Sequence, residues 1–514
     1  MRALLLVRRG APLTAALVDV IRKKGFEPVV LSSLPADGGT KFRAMCAGLD
    51  VRCVVSAGVA VTSEEVMATV RDIEDCAFAI TMADSQRTVM AEANGLLGAH
   101  DVTPGALRHA LDKHLMRKRL FELGLSRLRP LRVADPELRR RIEAGEQYVV
   151  KPRRGVASLC VGLVRTWSDV EALQAVYERG PGDGDMMAEY FTDNELIAEG
   201  FCDGREVSFE VIRQDGHDRV SVDHEKTLLD FADGTVLERG LASPVVGITA
   251  DELDAARGVA DEAMDALGLD NGCYHVELRI DQTGRPEVIE INPRVGGALV
   301  WDSVRLQYDR SLIDDWIDVL AGKPVAPMAP RKCGTYMQLA FPVVGKQVTG
   351  IDQNPDLPEP EVYGESIAPG AVALANREFF GADALWTTEL ATHRDQVARL
   401  VAEEYCLFAY ARGLTGKPVL LALEPDASTW NAIAAAPEDV DVVVCHQERI
   451  EATDEYRAAR DRIGRLVAVP SWDSPDALAS VLESCDGAPI RDILGPRTTH
   501  VVADQVRNAM QAPA

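Results

Sequence analysis

Residues 274 to 292 read YHVELRIDQTGRPEVIEIN, a pattern typical of two β-strands joined by a turn at Thr283-Gly284. If the strands pair as an antiparallel hairpin, Glu277 lies directly opposite Glu290. Side chains alternate between the two faces of a strand, so apolar and polar residues separate. The predicted apolar face holds Val276, Leu278, Ile280, Ile289 and Ile291, and the predicted polar face holds His275, Glu277, Arg279, Glu290 and Asn292.

The polar face of this hairpin is a candidate magnesium site. Directly opposed carboxylates repel each other unless a positive group lies between them. Carboxylate and amide oxygens are ligands that Mg²⁺ prefers, which makes Glu277, Glu290 and Asn292 the candidate ligands. The alternative is a hairpin whose outer face is simply solvated. The segment Pro293–Gly297 favours the metal site, because a glycine pair close to Arg294 allows the backbone to approach an anion.

A second candidate anion site lies upstream, where Lys151 follows the apolar run 148–150 and precedes the loop 153–158. A lysine at a strand end, followed by a loop with glycine and serine, can hold phosphate through its charge and through backbone N–H groups. The loop lacks the spacing of a Walker P-loop, and alone it is read more simply as a strand end. Together with the hairpin it indicates a phosphate site.

Composition limits the classes of function. The chain has 514 residues, which predicts about three or four domains, and 47% of them are hydrophobic, enough for packed cores. Its formal net charge of −25 argues against a nucleic-acid partner. No apolar run is long enough to cross a membrane. The ten scattered cysteines form no CxxC pair and predict reduced thiols in a cytoplasmic protein.

The order of apolar runs predicts four segments along the chain. Residues 1–104 alternate short strands and helices, as a doubly wound α/β domain does, with Asp84 or Ser85 as the expected N-cap of a helix. One amphipathic helix is expected to hold Asp112, Lys113, Met116 and Arg117. Strands dominate from about 145 to 295, a Pro-rich linker follows at 323–330, and a mixed unit extends to 415. Residues 416–514 return to the α/β pattern, and their start resembles residues 3–18 in composition.

The order of these motifs resembles the ATP-grasp superfamily of carboxylate–amine ligases, and most of all the bacterial L-amino acid (dipeptide) ligases. The resemblance covers about residues 1–415. It rests on four stretches: DKHLMRKRL (112–120), KPRRGVAS (151–158), AEGFCDGREVSFE (198–210) and HVELRIDQTGRPEVIEINPRVGG (275–297). It implies an α/β, ATP-grasp fold with a pre-ATP-grasp domain at 1–104, a nucleotide-binding domain at 105–327 whose lid spans about 145–200, a mixed α+β subdomain at 328–415, and an appended α/β domain at 416–514.

The resemblance also implies roles for individual residues. Arg294 and Lys151 are the implied catalytic residues, and Glu277, Glu290 and Asn292 the implied magnesium ligands. The implied ATP-binding residues are Lys113, Lys151, Gly155, Ser158, Glu199, Phe201 and Glu206. The implied substrate residues are His224, Lys226, Glu238, Arg294, Gly296 and Gly297. A run at 187–190 is an alternative to Glu199 as the adenine hinge.

Two features depart from the pattern of these ligases. The lid loop has Ala157 and Cys160 where relatives have more glycine, which predicts a stiffer loop. Leu241 stands where dipeptide-type relatives often have histidine, so the substrate subsite differs, and His224 or Lys226 would have to compensate.

The implied reaction joins two amino acids, or an amino acid and a related amine, through an acyl phosphate, with ATP and two Mg²⁺ ions, Mn²⁺ being an alternative ion. The expected partners are small-molecule amino acid substrates and a second copy of the chain in a homodimer, with neither nucleic acid nor membrane. The alternatives are a γ-glutamyl ligase, an ATP-grasp carboxylase-type enzyme, and a non-catalytic ATP-binding sensor or scaffold. Three interpretations are open for residues 416–514: a truncated second pre-ATP-grasp-like domain, a dimerisation module or a partner-binding platform.

Overall fold

The computed structural model describes residues 1–10, 13–35, 38–180, 188–191, 194–232, 235–447, 450, 452–469, 476–486 and 488–495. The chain divides into two compact units. The first comprises Met1–Met337, Pro360–Val362 and Leu385–Val401, and the second comprises Gln338–Glu359, Tyr363–Ala384 and Ala402–Ala514. All ten cysteines are free, and seven of them are buried. Among the described helices, none is both long and apolar enough to cross a bilayer.

The first hundred residues form a parallel four-stranded sheet with the order β3-β2-β1-β4. The predicted α/β alternation is therefore confirmed at this end of the chain. Helix α3 begins with a capping box in which Thr62 and Glu65 satisfy each other's backbone N–H groups. The elements are β1 (Arg2–Val7), α1 (Thr14–Lys23), β2 (Glu27–Ser32), α2 (Thr40–Gly48), β3 (Arg52–Val55), α3 (Ser63–Asp72), β4 (Cys76–Thr81) and α4 (Arg87–Leu97).

The next segment contains two helices where one was predicted. Helix α5 (Pro104–Leu111) ends at Asp112, whose backbone is extended, and α6 (Lys113–Glu122) begins there. The Asp112 carboxylate accepts a hydrogen bond from the Leu115 N–H at 3.0 Å, as an N-cap does. The apolar pattern continues through the break, which is why the sequence reads as a single helix.

A small antiparallel sheet with the order β5-β8-β6-β7 follows, where the lid was predicted. Its own core is formed by residues such as Leu138, Val150, Leu173 and Ala198. The elements are β5 (Leu131–Arg132), α7 (Pro136–Glu143), β6 (Tyr148–Pro152), β7 (Gly162–Val164), α8 (Trp167–Arg179) and β8 (Leu196–Gly200).

The predicted hairpin is the edge of a larger sheet. Helix α9 covers it and has a capping box of Thr249 and Glu252 at its start. The elements are β9 (Gly204–Gln214), β10 (His217–Ala232), β11 (Thr235–Ser243), α9 (Ala250–Leu267), β12 (Gly272–Asp281), β13 (Pro286–Asn292), α10 (Val300–Tyr308) and α11 (Leu312–Leu320).

The predicted hairpin register is confirmed up to the pair Glu277–Glu290 and is wrong for the pairs between that point and the turn. Glu277 pairs with Glu290 as predicted, but the register shifts at the next residue, where Leu278 pairs with Val288. This β-bulge leaves Ile289 unpaired and partly exposed, and Val288 takes its place in the core beside Leu278. The predicted apolar face therefore holds Val288 and not Ile289.

The mixed segment that follows contributes β14 (Gly334–Ala340), β15 (Val348–Gln353), β16 (Val362–Glu365), β17 (Ala382–Thr388), α12 (His393–Val401) and β18 (Cys406–Tyr410). The large sheet has the order β13-β12-β9-β10-β11-β14-β17-β16, and β15 pairs with β18 in a separate two-stranded sheet. The predicted linker at 323–330 contains no helix or strand.

The last described segment is a second parallel sheet with the order β21-β20-β19-β22. Numbered from its own first strand, this order is 3-2-1-4, the order found at the start of the chain. The compositional similarity noted in the sequence thus corresponds to a shared topology. The elements are β19 (Val419–Leu423), α13 (Ala427–Ala434), β20 (Asp441–His446), α14 (Asp454–Ala459), β21 (Ile463–Ala468), α15 (Asp476–Glu483) and β22 (Ile490–Leu494).

One carboxyl group makes the stability of the first unit depend on pH. Burial, together with a hydrogen bond to Asp261, raises the pKa of Asp218 to about 7, although Arg213 lies 2.8 Å from it and opposes the shift. Between about pH 4 and pH 7 the folded chain keeps a proton that the unfolded chain releases, so this contribution to stability falls as pH rises through that window. Asp218→Asn should abolish it. We expect the variant to gain about 1–2 kcal/mol of stability over the native chain between about pH 5 and about pH 8.

Denaturant titrations of both proteins at the two pH values measure this gain. Asp254→Asn, at an exposed position of α9, is the control and should show no pH-dependent difference from the native chain. A constant difference between Asp218→Asn and the native chain at both pH values would contradict the assignment.

Candidate functional site

The three predicted magnesium ligands come together on the polar side of the hairpin. The β12–β13 register sets Glu277 opposite Glu290 and His275 opposite Asn292. The Asn292 side-chain amide donates to Glu277 Oε1 at 3.5 Å. Three oxygen-bearing side chains from two adjacent strands therefore share one small region, as the alternation of the sequence predicted.

A lysine at the centre of three carboxylates is the main feature of the site. Lys226 Nζ donates to Glu206 Oε1 at 2.6 Å, to Glu277 Oε2 at 2.9 Å, and to Glu238. The three carboxylates come from β9, β12 and β11, and each offers an oxygen within 4.8 Å of the others. Residues predicted for the ribose (Glu206), the metal (Glu277) and the substrate (Lys226 and Glu238) thus form a single cluster.

The ionisable groups of this cluster shift one another's pKa. Burial opposes the charged form of Lys226, but the three glutamates raise its pKa well above the usual value. Lys226 and His275 hold the pKa of Glu277 well below its usual range despite burial. Burial raises the pKa of Glu238, and Glu277 and Glu206 add to the rise while Lys226 opposes it. Lys226 shares the compensation of these carboxylates with two neighbouring cations, the protonated His275 at Glu277 and Arg279, which lies 3.7 Å from Glu206.

His275 and Glu210 connect this cluster to the loop after β13. His275 Nε2 lies 3.1 Å from Glu277 Oε1, and Nδ1 contacts the buried Glu210. Burial opposes protonation, but the two carboxylates raise the pKa of His275 to about 10, so both ring nitrogens donate. Glu210 also accepts from the Gly296 N–H at 2.9 Å. A Cβ on Gly296 would lie 2.8 Å from Glu210 Oε1, which is why glycine is needed there, whereas Gly297 faces open space.

Arg294 is held by residues that follow the last strand of the N-terminal sheet. Its Nε donates to Asp84 at 2.9 Å, and Arg87 Nε donates to the Pro293 carbonyl at 2.8 Å. The prediction that Asp84 or Ser85 caps a helix is wrong, because 84–86 form a 3₁₀ turn and the N-cap of α4 is Gln86. The Asp84 carboxylate is instead committed to Arg294. The site therefore includes Asp84 and Arg87, which the sequence analysis did not assign.

The two predicted nucleotide lysines each contact a glutamate. Lys113 Nζ lies 2.8 Å from Glu290 Oε1 and donates to the Gly155 carbonyl at 3.0 Å. Lys151 Nζ lies 2.8 Å from Glu199 Oε2. Lys113 thus connects Glu290, a predicted metal ligand, to the loop that contains Gly155.

The Glu199 side chain lies inside the protein. Burial opposes its ionisation, but Arg117 and Lys151 lower its pKa. Arg117 Nη2 is 3.4 Å from Glu199 Oε2, and Arg117 Nη1 is 2.7 Å from the buried Glu287. Glu287 is a further residue that the sequence analysis did not single out. Met187, in the alternative hinge, lies outside the described residues.

The lid loop has backbone φ angles that are energetically unfavourable for the residues it contains. Ala157, Ser158 and Cys160 have φ angles of 50°, 46° and 52°, in the left-handed region. This conformation costs a non-glycine residue roughly 1–2 kcal/mol. The Ser158 carbonyl accepts a hydrogen bond from Thr235 at 3.0 Å, which ties the loop to β11. The loop is thus fixed in a conformation that glycine would adopt more easily.

An aromatic and cationic group lies next to Glu206. The Phe201 ring meets the Phe231 ring edge to face, with centroids 6.0 Å apart. The Arg279 guanidinium lies 5.2 Å from one ring centroid and 5.8 Å from the other, and 3.7 Å from Glu206. Phe231 was not predicted. Such a group offers a flat surface of the kind on which a base can stack.

His224 is buried, away from solvent. Its Nε2 lies 2.9 Å from the Ser303 hydroxyl, and burial lowers the pKa of His224 to about 4 despite Glu210 and Asp223, so its ring is neutral. Leu241, at the position where dipeptide-type relatives often have histidine, is also buried. The substrate role predicted for His224 therefore remains a prediction.

Part of the chain is similar in sequence to known proteins. Residues 145–302 match the ATP-grasp domain family. Over 157 residues the chain is 29% identical to the N-terminal section of the carbamoyl phosphate synthase large chain of Methanopyrus kandleri. The match covers 30% of this chain, and the chain spans only a quarter of the length of that relative.

Solved structures match more of the chain. The L-amino acid ligase of Bacillus licheniformis superposes with a TM-score of 0.62 at 17% identity, over 80% of this chain and 99% of that one. N5-carboxyaminoimidazole ribonucleotide synthetase from Thermotoga maritima superposes with a TM-score of 0.54 at 16% identity, over 80% of this chain and 99% of that one. At these identities the likeness establishes the fold.

Proposed function

The chain has the ATP-grasp fold, and on that premise we propose that it is an ATP-dependent carboxylate–amine ligase that joins two amino acids, or an amino acid and a related amine, releasing ADP and phosphate. The proposal depends above all on the register that puts Glu277 opposite Glu290, with Lys113 and Lys226 on these carboxylates. The structural likeness to an L-amino acid ligase supports the choice of substrates.

The donor set fits hard divalent cations. Glu277, Glu290 and Asn292 offer oxygen ligands on one face of the hairpin, and such oxygens are the ligands that Mg²⁺ prefers. We propose that these three residues hold two Mg²⁺ ions, or Mn²⁺ in their place. When bound, the ions would neutralise charge on the phosphates of ATP.

The chain's own residues have separable tasks in this proposal. Lys113, Lys151, Gly155 and Ser158 bind the phosphates. Glu206, next to Phe201, binds the ribose, and the hinge at Glu199 meets the base. Arg294, held by Asp84, stabilises the oxyanion formed when the amine attacks the acyl phosphate. Burial opposes the charge on Arg294, but Asp84 raises its pKa further, so it stays cationic throughout.

Activation by phosphate solves a chemical problem, because a carboxylate does not condense with an amine in water. The γ-phosphoryl group of ATP transfers to the carboxylate oxygen, which makes phosphate the leaving group when the amine nitrogen attacks. The lid loop would exclude water, which otherwise hydrolyses the acyl phosphate. Lys226, Glu238, Gly296 and Gly297 would contact the substrates. We propose that the reaction takes place in the cytoplasm, with which ten free cysteines are consistent. We also propose that the chain forms a homodimer.

ADP release tests the proposal directly. With ATP and Mg²⁺, we expect ADP release only when both a carboxylate donor and an amine donor are present, and a product whose mass is the sum of the two minus water. A panel of amino acid pairs, followed by mass spectrometry, separates peptides from carboxylated products, and fragmentation of the products separates the α-linked from the γ-linked isomers. If no pair stimulates ADP release, the ligase proposal fails. Stimulation that requires bicarbonate would favour a carboxylase instead.

A further inference from the structure

The second unit contains a cavity of about 590 Å³ that none of the proposed catalytic residues lines. One wall is β15 together with residues 365–369, and the other comes from residues 450, 452, 456, 457 and 460 of the appended α/β segment. Ligand pockets in proteins typically occupy about 300–1,000 Å³, so this cavity has the size of a binding site for a small molecule.

The two walls are fixed to each other by specific contacts. The Gln347 side chain donates to the Leu466 carbonyl at 2.6 Å and accepts from the Leu466 N–H at 2.7 Å. The Tyr456 hydroxyl donates to the Thr349 carbonyl, and Arg460 forms an ion pair with Asp352. These contacts hold the two walls of the cavity in place.

The lining combines both charges with an apolar surface. Arg457 and Arg460 bring two guanidinium groups, and Glu365 brings a carboxylate. Glycine at position 350 leaves room for the Arg460 side chain against β15, because a Cβ on Gly350 would lie 3.0 Å from Arg460 Nη1. The apolar part of the lining is formed by Val348, Ile351, Ile367, Pro369 and Ile450.

We propose that this cavity binds a free amino acid or short peptide with an apolar side chain. The ligand carboxylate would pair with Arg457 and Arg460, which suit planar, bidentate recognition. Its ammonium group would pair with Glu365, and its side chain would lie on the apolar wall. The site is separate from the proposed active site, whose residues all belong to the first unit, and it does not depend on the proposed reaction.

Calorimetry on the full chain without nucleotide tests the ligand class. The probes are L-leucine and L-leucyl-L-leucine, compared with 4-methylpentanoate, which lacks the amino group of leucine, and 3-methylbutylamine, which lacks its carboxylate. We expect at least one zwitterion to bind and each single-charge analogue to bind at least about tenfold more weakly. Equal binding of 4-methylpentanoate and leucine would overturn the role of Glu365, and no binding of either zwitterion at millimolar concentration would overturn the proposal.

A matched pair of arginine variants locates the binding. Arg457 is 55% exposed and pairs with Asp454, while Arg491, outside the cavity, is 51% exposed and pairs with Asp439. Arg457→Ala should weaken zwitterion binding about tenfold, and Arg491→Ala should leave it unchanged. Equal affinities in the two variants would place the ligand elsewhere and overturn the proposal. ADP release is measured in a separate experiment. A protein without ligase activity could therefore still confirm or overturn the binding site proposed for this cavity.

Discussion

Glu290→Gln is expected to lower the rate of ADP release about 10²–10³-fold at saturating ATP and Mg²⁺. Glutamine keeps the shape of the side chain and removes the charge that faces Glu277 across the hairpin. Loss of one pre-organised charge in such sites typically costs this much in kcat. The substitution also removes the charged partner of Lys113, which keeps its hydrogen bond to the Gly155 carbonyl. The steady-state rate of ADP release is measured, together with the Mg²⁺ concentration that gives half of the maximal rate.

Two observations make this result specific to a metal role. The variant should require more Mg²⁺ for half-maximal rate, which a general loss of folding would not produce. Glu262→Gln, at an exposed position of α9, is the control and should leave both quantities unchanged. If Glu290→Gln retains a rate within about threefold of the native chain, Glu290 does not hold the ion and the ligand set must be redrawn.

The predicted ATP-grasp fold, which rested on the resemblance of the four motifs, is confirmed. The hairpin could be predicted from the residues themselves because its signals are local. Alternation over 274–292 needs only neighbouring residues, and it set Glu277 opposite Glu290 correctly. The bulge at Ile289 could not be predicted in this way, since nothing in the alternation marks the shift. It depends on how Val288 packs with Leu278 under α9.

The residues that support the site were missed where their partners are distant in sequence. Asp84 and Arg87 contact Arg294 and Pro293 more than 200 residues away. Asp84 sits where a helix N-cap is expected, and the local signal favoured that role. Glu210 could have been found, because it shares the strand face of Glu206 at a spacing of four residues.

The grouping of Lys226 with three glutamates also depends on sheet topology. Its partners lie on β9, β11 and β12, and only the strand order puts them around one ammonium group. The four residues were predicted to have separate roles at the ribose, the metal and the substrate. These separate roles stay predictions, and the four side chains are coupled electrostatically.

Lys226→Met is expected to destabilise the first unit by about 3–5 kcal/mol in the absence of divalent cations. The Lys226 side chain is only 1% exposed and compensates Glu206, Glu238 and Glu277. Removing one partner of a buried ion cluster leaves uncompensated charge, which costs this much. Denaturant unfolding with a chelator present measures the loss. Lys332→Met is the control, because this lysine is 57% exposed and pairs with the exposed Asp309, and its loss should cost less than about 1 kcal/mol.

Mg²⁺ should restore part of the stability lost in Lys226→Met. The three carboxylates offer oxygens within 4.8 Å of one another, and in the variant a cation no longer competes with the ammonium group. A site occupied at 100 times its Kd contributes about 2.7 kcal/mol, so Mg²⁺ should stabilise the variant clearly more than the native chain. Protonation of a carboxylate would also relieve the repulsion, and it would make the variant lose stability as pH rises. Equal stabilisation of both proteins by Mg²⁺ would show that the carboxylates around Lys226 do not attract the ion.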